Sequence, residues 1–96
     1  MKKKIFVTRR LLKENEEKLK SLFDVTLNKE DKIYTPQEII SSSKNYDGIL
    51  SSVTDPINAD TISKLSNSIK IIANGAVGFG NIDIQAAKKK GIIVTN

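Results

Sequence analysis

Short apolar runs alternate with amphipathic stretches along the whole chain, and that rhythm restricts the fold more than any other feature. It is the mark of βαβ units laid on a parallel sheet. Lys4-Ile5-Phe6-Val7-Thr8 reads as a first strand. Leu11, Leu12, Asn15, Leu19, Leu22 and Phe23 then recur largely at helical spacing, so a helix is expected from Leu11 to Phe23. Lys13, Glu14, Glu16, Glu17, Lys18 and Lys20 form its wet face. A short Val25-Thr26-Leu27 strand follows.

Thr35-Pro36-Gln37-Glu38 is a strong helix start. Thr35 can cap, Pro36 suits the first helical position, and Glu38 completes a capping box, which predicts a helix to Ser43. Tyr46 to Ser51 supplies a third strand. Asn58 or Asp60 can open a third helix running through Leu65, and Ile69 to Ala73 makes a fourth strand. Asp83 caps a helix over Ile84–Lys90, whose closing lysines complement its negative end, and Gly91 is placed to stop it. Ile92 to Thr95 is the fifth strand. The expected fold is α/β: a flavodoxin-like, doubly wound parallel sheet of five strands alternating with four helices. A doubly wound sheet normally carries a helix after its last strand, so a chain stopping at Asn96 is expected to be a truncated piece of something longer.

What the chain lacks excludes several function classes. It has no Cys, hence no disulfide framework and no thiolate, and no His, so a zinc site is not expected. Acid–base work at neutral pH would fall to carboxylates, Lys or Tyr. The longest apolar run is three residues (Ile71–Ala73 is one), too short for a membrane span or a signal peptide. A soluble, cytoplasmic protein is the default expectation. The net charge is +5, but 14 of the 16 cations are Lys, dispersed and interleaved with Glu. Arg9 and Arg10 are the only arginines, so the charge reads as solvated surface and nucleic acid is not an expected partner.

In open α/β sheets, ligands bind beyond the carboxyl ends of the strands. Those ends fall at Thr8-Arg9-Arg10, at Ser51-Ser52-Val53-Thr54-Asp55, and at Asn74-Gly75-Ala76-Val77-Gly78-Phe79-Gly80. Three glycines within six residues let backbone N–H groups approach an anion. The G-x-x-G-x-G order is not the dinucleotide fingerprint, and taken alone a tight strand-to-helix connection explains it better than an anion site does. Arg9 and Arg10 read as a solvated loop or cleft-rim pair. Asp47 lies at the wrong end of its strand for chemistry, and Asp55 and Asp83 read as turn and cap residues.

The combination is more specific than its parts. Ile5 to Leu11, Tyr46 to Ile57, and above all Ala76-Val77-Gly78-x-x-Asn81-Ile82-Asp83-x-x-Ala86-Ala87-x-x-x-Gly91-Ile92-x-Val94-Thr95-Asn96 carry a resemblance. The chain resembles the N-terminal part of the substrate domain of D-isomer-specific 2-hydroxyacid dehydrogenases, most like the glyoxylate/hydroxypyruvate reductases. That resemblance implies a two-domain enzyme, with a Rossmann domain for NAD or NADP inserted in a discontinuous flavodoxin-like substrate domain. It implies that the carboxylate of a small 2-oxo or 2-hydroxy acid is held by the backbone N–H groups of Val77 and Gly78, with Val53 on the pocket wall. The catalytic Arg, Glu and His, the Gly-rich cofactor loop and most homodimer contacts would lie beyond residue 96. No catalytic residue and no bound cofactor are therefore expected for this chain alone.

Other readings fit less well. A phospho-receiver needs an acidic pair after the first strand, where Thr8-Arg9-Arg10 stand. A flavodoxin needs a hydroxyl- and Gly-rich loop there and aromatics around the flavin. A non-catalytic module that pairs with a partner chain, or a degenerate gene product inactive alone, is the remaining alternative.

Overall fold

The computed structural model describes residues 2–52, 54–75 and 80–95. Among them, strands and helices alternate: β1 (Lys4–Val7), α1 (Lys13–Leu22), β2 (Asp24–Thr26), α2 (Pro36–Ser42), β3 (Gly48–Ser52), α3 (Ala59–Lys64), β4 (Ile71–Gly75), α4 (Ile84–Lys89) and β5 (Ile93–Thr95). The helix starts obey local chemistry. Thr35 and Glu38 form a reciprocal capping box at α2, Asn58 accepts from Thr61 N–H at α3, and Asp83 accepts from Ala86 N–H at α4. Leu12 begins α1 without a side-chain cap. Gly91, at φ +81°, ends α4 in a left-handed conformation that favours glycine.

All four strand pairings are parallel, and the order is β2-β1-β3-β4-β5, the expected doubly wound arrangement. The register aligns Phe6, Ile49, Ile72 and Val94 in one row across the sheet. That row faces the core, where Ile39, Ile57, Ile62, Leu65, Ile82 and Ala87 close over it from α2, α3, α4 and their approaches. Burying an isoleucine side chain stabilises by about 1.5–3 kcal/mol, so this face carries much of the fold. Phe6 also packs edge-on against Tyr46, with ring centroids 5.8 Å apart.

The adjacent rows, Ile5–Gly48–Ile71–Ile93 and Val7–Leu50–Ala73–Thr95, point to the other face. Among the described residues only α1 lies over this side, and none of its own residues is buried. An apolar groove of about 340 Å³ runs beside it, lined by Ile5, Leu19, Phe23, Leu50, Ile71 and Ala73. Ile93 is 62% exposed. Parallel sheets usually have both faces covered, so this open side is a property to explain.

Several element boundaries differ from expectation, among them those of β3 and β4. The fourth strand is Ile71–Gly75 rather than Ile69–Ala73, because Ile69 is buried within a turn closed by its own N–H on Ser66 O. The third begins at Gly48 rather than Tyr46, since Tyr46 N–H bonds back to Ser43 O at the end of α2. Burial alone does not distinguish a strand residue from an apolar turn residue.

Candidate functional site

The chain leaves β1 toward one edge of the sheet and β3 toward the other, so their carboxyl ends flank the topological switch point. Polar side chains gather there although the surroundings are buried. Thr8, next after β1, anchors its N–H on Leu50 O at 3.1 Å and directs its hydroxyl to Asp55 Oδ2. The same oxygen accepts Ser52 N–H at 2.8 Å, while Asp55 N–H returns to Ser52 O at 3.0 Å. Asp55 is fully buried, and its Oδ1 has no hydrogen-bond partner among the described residues. An unmet buried acceptor is rare in folded proteins and marks the switch point as unusual.

A second set of contacts joins the ends of β3 and β4. Ser51 donates its hydroxyl to Asn74 Oδ1 at 3.0 Å, and Asn74 Nδ2 donates to Asn81 Oδ1 at 2.9 Å. Asn81 Nδ2 reaches two carbonyl oxygens of the β3–α3 connection, Ser52 O and Asp55 O, each at 2.9 Å. The backbone repeats the link: Ile57 N–H bonds Asn81 O at 2.7 Å and Asp83 N–H bonds Ile57 O at 2.9 Å. Gly75 lies where these strand ends approach closely, since a Cβ there would stand 3.3 Å from Ser51 O.

Arg9 forms the third part of the rim. Its Nε and Nη2 grip Asp31 at 2.8 and 3.1 Å, and Nη1 donates to Thr54 Oγ1 at 2.8 Å. Three connections at the carboxyl end of the sheet are thereby tied to one guanidinium. The hydrogen bonds from Arg9 and then from Arg10 N–H lower the Asp31 pKa from 3.8 to about 2, and Asp31 raises that of Arg9. Of the two expected readings, solvated loop or cleft rim, Arg9 follows the second and also tethers the loops. Arg10 remains exposed.

Val53, Val77 and Gly78, the positions expected to hold substrate, lie outside the described residues. Their neighbours are in view: Ser52 and Thr54 belong to the Asp55 cluster, and Gly75 and Gly80 flank the segment containing Val77 and Gly78. Asp83 is the cap it was expected to be. Asp47 lies at the opposite end of the sheet, where its carboxylate accepts Lys4 N–H at 2.8 Å. Asp55 does more than close a turn, because it also joins β1 to the β3–α3 connection. The bonding roles of Asp55 and Asn81 were not legible beforehand, since their partners lie up to 47 residues away. Among the described residues, no group of three or more His, Cys, Asp or Glu side chains is gathered as a metal ion would require.

Comparison with known proteins decides the family. Residues 5–96 match the catalytic domain of the D-isomer specific 2-hydroxyacid dehydrogenases. The chain belongs to that family. Among its relatives is a glyoxylate reductase of Korarchaeum cryptofilum, 36% identical over 96 residues, which are 100% of this chain and 29% of that protein. A glyoxylate reductase of Aeropyrum pernix is 36% identical over 95 residues, 97% of this chain and 28% of that protein. A solved structure from Polaromonas sp. JS6 66, described as an NAD-binding D-isomer specific 2-hydroxyacid dehydrogenase, superimposes with a TM-score of 0.93 at 35% identity. That superposition covers 98% of this chain and 30% of the other. The 96 residues therefore span less than a third of the length of these dehydrogenases, and what they supply is part of the catalytic-domain fold.

Proposed function

We propose that residues 1–96 form part of the substrate-binding domain of a D-2-hydroxyacid dehydrogenase of the glyoxylate/hydroxypyruvate reductase type, and hold the carboxylate of a small 2-oxo or 2-hydroxy acid. The observation that carries this reading is the placement of a bonded polar rim at the switch point, within a stretch matching that family's catalytic domain. Backbone N–H groups of Val77 and Gly78 are the donors, and Val53 lines the wall. Neutral backbone amide donors in a loop before a helix suit a carboxylate.

The relatives' descriptions include NAD binding, and hydride chemistry in this family would use NAD or NADP. The residues present do not fit a dinucleotide. The first glycine is Gly48, the β1–α1 connection carries the tethered Arg9, and no G-x-G-x-x-G occurs in these 96 residues. The cofactor site, the proton donor and most of the homodimer contacts are assigned to other polypeptide, and no catalytic residue is assigned to this chain. The open sheet face favours one further reading, a non-catalytic module that meets a partner chain there.

Two measurements test the proposal. Calorimetric titration of the chain with oxamate, an unreactive analogue of glyoxylate, is expected to give saturable binding. The chain with glyoxylate or hydroxypyruvate and NADH or NADPH is expected to oxidise no nucleotide. Turnover by the chain alone, or an absence of oxamate binding, overturns it.

A further inference from the structure

We infer that the open face of the sheet is the seat of one amphipathic α-helix supplied from outside these 96 residues. It lies beside α1 with its carboxyl end at Lys3 and Lys70. The inference goes beyond the carboxylate reading and does not depend on it.

The topology leaves room for one helix there. Crossovers between parallel strands are right-handed, and the step from β1 to β2 runs away from β3, β4 and β5. That step puts α1 on one face of the sheet and α2, α3 and α4 on the other. α1 packs beside β2, so among the described residues no helix covers β3, β4 and β5 on this face. Three strands span two strand spacings, about 10 Å, which is the width of a single helix.

The uncovered strip is a groove with a floor and one wall. Leu50, Ile71 and Ala73 form the floor, and Ile93 lies in register with Ile71 at its margin. Leu11, Leu19 and Leu22, at helical spacing, form the wall of a second hollow of about 370 Å³ that shares Leu19 and Leu50 with the first. Such a floor and wall match an apolar stripe on one side of a helix. α1 of a second copy does not match it, since Lys13, Glu14 and Glu17 on its outer side are exposed and charged.

Charge sets the direction. Lys3 and Lys70 line the groove at the amino ends of β1 and β4, both exposed and with Nζ in no ion pair or hydrogen bond among the described residues. Asp47 shares that end, where its Oδ2 accepts Lys4 N–H at 2.8 Å. Ammonium groups suit the carbonyl end of a helix, which carries partial negative charge. The molecule already uses this chemistry around the end of α3, where Lys90 Nζ donates to Ile62 O at 3.0 Å, Ser63 O at 3.3 Å and Leu65 O at 2.5 Å.

The test titrates the chain with an acetylated peptide of about 14 residues that ends in a free carboxylate, with leucines on one helical face and alanine and glutamine elsewhere. Comparators are the same peptide with its leucines scrambled, one with lysines in its last turn, and decanoate. Calorimetry gives affinity, sedimentation gives stoichiometry, and a nitroxide on either peptide end gives direction through NMR line broadening. One peptide should bind one monomeric chain, and the carboxyl-end nitroxide should broaden the Lys3 and Lys70 amides. Scrambling, Leu22→Lys and Ile93→Lys should each weaken binding by about tenfold or more, and terminal lysines by about threefold. Leu22 and Ile93 are 55% and 62% exposed, so both variants are expected to fold, and Ile33→Lys, at an exposed position outside the groove, should leave affinity unchanged. No binding of the patterned peptide, equal binding of the scrambled one, a dimer that excludes the peptide, or tighter binding of decanoate overturns the inference. Broadening at Leu11 by the carboxyl-end label overturns the direction.

Discussion

Asp31 is the residue whose ionisation most directly reports on the switch-point rim. Its folded pKa is depressed to about 2 by Arg9 and by Arg10 N–H. A depressed carboxyl contributes stability above its unfolded value, and that contribution is lost as pH falls through the folded one. The melting temperature of the unaltered chain should therefore exceed that of Asp31→Asn above pH 4, and the two should converge toward pH 2. A constant difference across that range would contradict the tether. Asp55 makes a different prediction. Asp55→Ala leaves Thr8 hydroxyl and Ser52 N–H without their acceptor, at a cost of about 2–3 kcal/mol in urea unfolding. Both effects depend on contacts between residues distant in sequence. Arg9 was legible as a rim residue, but its partner, 22 positions on, could not be read from local pattern.

At the scale of elements, the capped helices were the most legible. Thr35 with Glu38, and Asp83, announce α2 and α4 because their bonds close within three residues. α1 starts at Lys13 rather than Leu11 because Leu12 precedes it with no side-chain cap to mark the place. The start of β4 was displaced by two residues for the reason found at Ile69: an apolar turn and an apolar strand look alike to periodicity. The β3–β4 pairing depends on a glycine. A Cβ at Gly48 would lie 2.8 Å from Ile71 Cγ2 and 3.3 Å from Ile71 O. Neither atom moves freely, one being fixed by a β-branched rotamer and the other by the backbone. Gly48→Ala should cost about 1–3 kcal/mol, measured by denaturant unfolding, and a neutral result would show that the two strands can part without penalty.

For the whole molecule, the asymmetry of the sheet is the governing fact. One face is closed by α2, α3 and α4 over an isoleucine-rich core, and the other carries α1, an open groove and the exposed Ile93. Exposed apolar patches of this kind favour association. Light scattering of the 96-residue chain should rise with concentration, and Ile93→Lys should reduce the effect. A monomer with a sharp melt independent of concentration would contradict it. The fold order was legible because βαβ alternation leaves few arrangements for five parallel strands. The site was legible only as a place, the carboxyl ends of the strands, since no local pattern encodes which distant carbonyls an asparagine will bond.

The central claim is that amides near the ends of β3 and β4 receive a substrate carboxylate. An oxamate titration of the ¹⁵N-labelled chain tests it residue by residue. Saturable shifts are expected, largest at the Val77 and Gly78 amides, with a smaller response at Val53. Shifts centred on another part of the chain, or none at saturating oxamate, would contradict it.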